Sequence, residues 1–181
     1  MDAAIEIIPV KTLFGEALRE SFEDLDIPDK GATDYLADLL MRFAATTAML
    51  PAGVAGERLE SIADRVAEIQ RSWSIDAEPF DPAREIQIRR GLADYALFMS
   101  GFFWESVKSQ SVTRHYVREG KRAYRFMAEY HRAHGQAEAR LYQTLAARFE
   151  TYAAVISYMR DVHLGAEFAP WPHRLFAKIS Y

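Results

Sequence analysis

Tyr95-Ala96-Leu97-Phe98-Met99-Ser100-Gly101-Phe102-Phe103-Trp104 runs for ten residues without a charge. A membrane-spanning helix needs roughly 20 apolar residues, so this stretch is too short to cross a bilayer. As a helix it is apolar nearly all round, and such a helix must be covered on every side. It is therefore either the central helix of a bundle or the seam of a homodimer. Ser100-Gly101 marks a place where that helix can kink or let another helix approach closely.

The pattern around this stretch is helical. Asp81-Pro82 is a start signal, a capping Asp followed by Pro in the first turn, and the helix is expected to run from there to about 110. Before it, three helices are expected over 13–25, 34–50 and 57–74. Thr12 would cap the first and Thr33 the second. Phe14, Leu18, Phe22 and Leu25 form the first apolar face, and Leu36, Leu39, Leu40 and Phe43 the second. After it, Thr113 would cap a helix over 114–134, with Tyr116, Gly120, Ala123, Tyr124, Met127, Tyr130 and His131 on one face and Gly135 as its stop. A last helix over 137–164 carries a heptad seam of Tyr142, Leu145, Phe149, Tyr152, Ile156, Met159 and His163. No segment reads as a strand. The expectation is an all-α fold: one domain over 1–181, an up-and-down bundle of about six helices, with 1–10 as an N-terminal arm and 166–181 as an aromatic C-terminal tail.

Composition agrees. The chain has 181 residues, 50% of them hydrophobic and 27% charged, enough to build a core and far from a disordered composition. It has no cysteine, which excludes disulfides, a thiolate nucleophile and a cysteine-based metal site. The start lacks the pattern of a signal peptide, so a soluble cytoplasmic protein is expected, with no membrane partner. The net charge of −4 conceals an asymmetry. Residues 1–83 hold 7 Lys/Arg against 17 Asp/Glu, and residues 84–181 hold 15 against 9. Such halves attract each other within a fold or across a dimer, or else the basic half meets an anionic partner.

The segment 89–106, Arg-Arg-Gly-Leu-Ala-Asp-Tyr-Ala-Leu-Phe-Met-Ser-Gly-Phe-Phe-Trp-Glu-Ser, followed by Tyr116, Gly120, Ala123-Tyr124, Leu145-Ala146 and Phe149, resembles a group of bacterial all-helical proteins with no known activity. The likeness reaches from about Tyr35 to Asp161. It implies a bacterial, self-contained helical domain and carries over no site, cofactor or partner.

Few residues offer chemistry. Asp94 sits at the edge of the apolar stretch and Glu105 closes it. Eleven residues apart on an ideal helix, they share a face but lie roughly 16 Å from each other, too far for one acid–base pair. Each is a polar anchor at a site or the partner of an arginine, with Arg42, Arg89 and Arg90 at hand. Tyr95, Tyr116, Tyr124 and His131 complete the candidate ligand-binding set, with the aromatics of the last three long helices lining a pocket for an apolar or planar ligand or else filling the core. No Glu stands three residues before a His, which removes the carboxylate-bridged di-iron bundle, and neither a metal nor a cofactor is expected. Arg114, Arg118, Lys121, Arg122 and Arg125 form a basic stripe and are the anion-binding candidates, although an overall acidic chain makes nucleic acid a poor partner. No nucleophile elbow, phosphate loop, dinucleotide fingerprint or zinc-protease motif is present, so whether the protein is an enzyme stays open. The reading reached from sequence is a non-enzymatic helical protein that acts by self-association, most simply as a homodimer, or by binding another protein. The alternative is a binder of, or enzyme on, a small apolar or planar ligand.

Overall fold

A computed structural model describes residues 3–49, 82–102 and 110–164. The expected helix over 57–74, the tail 166–181, and Phe103, Trp104 and Glu105 lie outside the described residues. Of the described residues 89% are helical and none is in a strand, as the sequence pattern requires. Six α-helices appear among them: α1 (Ala3–Asp24), α2 (Lys30–Met49), α3 (Pro82–Phe102), α4 (Gln110–Ala133), α5 (Glu138–Ala147) and α6 (Phe149–Tyr158). A π-helical turn, Met159–His163, follows α6 directly.

Several boundaries differ from the sequence reading. The first helix begins at Ala3, within the stretch read as an arm, and Thr12 is an interior residue of it. The helix α2 starts before Thr33 because Asp29 is its cap. The Asp29 Oδ1 accepts from the Ala32 N–H at 3.0 Å, and Thr33 instead donates its hydroxyl back to the Asp29 carbonyl at 2.7 Å. Thr113 likewise falls inside α4, which begins at Gln110. The long last helix is broken at Arg148, whose φ of −112° and ψ of 25° are not helical. Gly135 is the stop that the sequence reading places there. It sits at φ +63°, its N–H donates to the Arg132 carbonyl and the Gln136 N–H to the His131 carbonyl, a Schellman ending.

The core is built around α3. From Leu92 to Phe102 every side chain is buried, Ala93, Ala96, Leu97 and Phe102 completely. The covering elements belong to the same chain: α4 along one side, α6 along another, and α2 at a third. Residues 95–102 are therefore core within one subunit, and the dimer seam proposed for this stretch is not formed by them. The heptad seam behaves as its spacing requires, with Tyr142, Leu145, Phe149, Tyr152, Ile156 and Met159 all buried. Leu25 is the exception among the expected apolar faces, 38% exposed at the α1–α2 turn.

Two glycines set the helix spacing. A Cβ at Gly101 would lie 2.7 Å from the Ile156 Cβ and 3.0 Å from the Ala153 carbonyl oxygen, so α3 and α6 approach backbone to backbone. A Cβ at Gly120 would lie 2.5 Å from the Phe149 ring and 3.0 Å from the Ala96 Cβ, which seats Phe149 between α3 and α4. The Ser157 hydroxyl then reaches the Gly101 carbonyl at 2.6 Å, and Arg160 Nη1 reaches that of Phe102 at 2.8 Å. Overpacked cores lose about 1–3 kcal/mol, more than the roughly 1 kcal/mol that Gly→Ala gains in a helix interior. Gly101→Ala and Gly120→Ala are thus expected to lower the urea midpoint. Gly15→Ala, where nothing lies within 4 Å of the new Cβ, is expected to raise it.

Candidate functional site

Asp94 is 1% exposed in the middle of the bundle. A carboxylate there must be matched by donors, because desolvation of a bare charge costs far more than a fold can supply. The helices provide them. Tyr35 of α2 donates its hydroxyl to Asp94 Oδ1 at 2.5 Å, and Tyr124 of α4 donates to the same oxygen at 2.8 Å. Arg42 of α2 donates through Nη1 to Oδ2 at 3.0 Å, and Arg90, one turn before Asp94 on α3, brings its Nε to 3.7 Å from Oδ2. Tyr35 and Arg42 are seven residues apart and so present one face of α2, which is why both reach the same group. Both guanidiniums are about half exposed while the carboxylate they meet is sealed.

Rings close the space around this cluster. Tyr35, Tyr124 and Tyr142 of α5 surround one another, with centroids 6.4, 6.0 and 6.2 Å apart. His131 stacks on Tyr142 at 5.0 Å, its Nδ1 paired with the Gln136 side-chain oxygen and its Nε2 buried without a hydrogen-bond partner among the described residues. Burial, reinforced by the Asp94 charge, pushes the Tyr35 and Tyr124 hydroxyls far above the ordinary tyrosine range. Burial also raises Tyr142 and Tyr116. At the other end of the bundle burial, with a hydrogen bond to Asp29 at 2.6 Å, raises Tyr152.

Of the candidate ligand residues, Asp94 and Tyr124 meet directly, and His131 joins them through Tyr142. Tyr95 and Tyr116 make a separate pair, ring centroids 6.1 Å apart, with Tyr95 also against Phe43. Glu105 lies outside the described residues. Arg42 and Arg90 are the partners that a buried Asp94 calls for. Arg89 is not: it holds the buried Glu85 at 2.8 Å and lies over the Phe126 ring at 3.8 Å. The sequence reading passed over Tyr35 and took Tyr142 only as one aromatic of the heptad seam and of the last three long helices, because a tyrosine on a buried helix face carries the same signal as any core aromatic.

The basic stripe is distributed unevenly in its partners. Lys121 pairs with Glu150 at 2.9 Å and Arg118 with its neighbour Glu119 at 2.9 Å. Arg114, Arg122 and Arg125 are exposed and form no ion pair among the described residues. No group of three or more His, Cys, Asp or Glu suited to a metal ion occurs among the described residues. None of the helices described is long and apolar enough to cross a membrane.

Comparison with protein-family models, with curated proteins and with solved structures finds no match. What the cluster does must be read from its geometry. Oδ1 is committed to two phenols and Oδ2 to a guanidinium, so this carboxylate acts as a knot between α2, α3 and α4 and offers little to a substrate.

Replacing Asp94 by Asn should cost about 1–3 kcal/mol in denaturant unfolding, since the amide keeps one oxygen for the two phenols but turns an NH2 donor, without charge, toward the two guanidiniums. Tyr35→Phe, which removes one donor, should cost about 1 kcal/mol. The raised phenols also fix a pH dependence. They stay neutral in the fold, whereas unfolded tyrosine ionises near pH 10, so their contribution is complete below about pH 10 and is lost as pH rises above it. In a spectrophotometric titration the buried tyrosines should ionise only together with loss of helical circular dichroism.

Proposed function

We propose that the protein is a non-catalytic interaction module that works by association, with a second copy of itself or with another protein, through charged surface and not through the apolar helix at its centre. The observation that carries this reading is the outer face of α4, where Arg114, Arg122 and Arg125 stand exposed without ion pairs among the described residues. Two further observations support it. The residues best suited to chemistry, Asp94 and Tyr124, are engaged in holding helices together. The exposed surface of α1 and of the α1–α2 turn carries Glu16, Glu20, Glu23, Asp24 and Asp26, so one molecule offers faces of both signs. Opposed faces of this kind steer encounter and fix orientation, and their pull falls with added salt.

Light scattering at micromolar concentration and low salt tests the reading. A mass above 20.7 kDa that falls toward the monomer as salt is added is the expected result. A strictly monomeric mass under all conditions, with no protein partner retained by the purified chain, would count against it.

A further inference from the structure

The turn between α1 and α2 encloses a cleft of about 730 Å³, within the size range of specific binding sites. Phe22 lines it together with Glu23, Asp26 and Asp34 and with Arg19 and Lys30. Glu23, Asp26 and Asp34 are exposed and form no ion pair among the described residues, although two cations share the same cleft. The walls are fixed in advance. Asp29, which also lines the cleft, is held by the Tyr152 hydroxyl and the Ala32 N–H, and Asp26 sits at φ +52°, a backbone state that Asp tolerates better than most residues. A preformed cleft spends little on ordering when it is filled.

The group that fits is a guanidinium, which meets carboxylates with two parallel hydrogen bonds and sheds water more readily than an ammonium. The same chain carries a row of them on α4. They do not reach the cleft within one molecule. The helix α1 packs on α2, α6 and the π turn, whereas α4 packs mainly on α3 and α5, and among the described residues no ion pair joins an arginine of α4 to the cleft. Among the described residues, the ion pair of Arg42 with Asp94 and the contacts of His163 with Glu20 and Asp24, which link the acidic and basic halves, use no residue of α4.

We infer that the cleft at the α1–α2 turn receives the arginine face of α4 from a second copy of this chain. The inference rests on the association proposed above and names its two surfaces. Charge exchange tests it. One variant carries Glu23→Lys and Asp34→Lys, making the cleft basic, and the other carries Arg114→Glu and Arg122→Glu, making the stripe acidic. All four positions are exposed, so both variants should melt as the parent does.

Each variant alone meets like charge with like and should remain a monomer where the parent associates. Mixed in equal amounts, each cationic cleft meets an anionic stripe and each anionic cleft a cationic one, so association should return. The association constant of the parent should fall at least about tenfold between low and high salt. A parent oligomer that survives unchanged in either variant would overturn the inference and leave the association reading standing. A mixture that stays monomeric would also overturn it. A parent that is monomeric throughout would overturn the inference, and it would count against the association reading as well where the purified chain also retains no protein partner.

Discussion

Asp94 carries a full charge into the interior of a helical bundle, and the arrangement of α2, α3 and α4 follows from what that charge demands. Two phenols and two guanidiniums converge on its two oxygens, and each is delivered by a helix that must hold a particular rotation and height to deliver it. Apolar packing alone is tolerant of small slides and rotations, because many arrangements bury similar area. A carboxylate with four named partners is not tolerant in this way. The knot thus selects one packing from among those that the greasy faces would permit, at whatever net contribution to stability remains after desolvation.

The glycine contacts perform the corresponding task along the other edge of α3. Gly101 brings α3 within backbone reach of α6, and Gly120 opens a seat for the Phe149 ring. The helix most in need of cover obtains it from small residues that let neighbours come near, together with aromatic residues that fill what is left. Its apolarity is consumed inside the subunit, which moves any role in assembly outward to the charged faces.

Much of this was written in the sequence, for reasons that can be stated. Periodicity revealed the buried faces of α4, α5 and α6, and Gly135 announced its turn because its left-handed backbone suits glycine above other residues. The burial of residues 95–102 followed from their apolarity, but whether the cover came from the same chain or another did not, since a core and a seam have one composition. Asp94 could be matched with arginines because a buried carboxylate needs cations. Tyr35 and Tyr142 could not be singled out, because nothing local separates a hydroxyl that serves a carboxylate from one that merely ends a core ring. The break at Arg148 was hidden for a similar reason: the heptad seam passes through it without a skipped residue, and no proline or glycine marks it. Asp29 and Thr33 are both plausible caps, and only the hydrogen bonds decide between them.

The π turn at the end of α6 has an effect on the phase of the chain. Its hydrogen bond spans five residues, from the Leu164 N–H to the Met159 carbonyl, one more than an α-helix uses. In an unbroken α-helix each residue advances about 100° around the axis, so one surplus residue offsets everything beyond it by about that angle. His163 owes its place between Glu20 and Asp24 of α1 to this offset. The surplus residue works as a gear tooth, letting a helix whose inner stripe is already allotted to α3 turn its final imidazole toward a different neighbour.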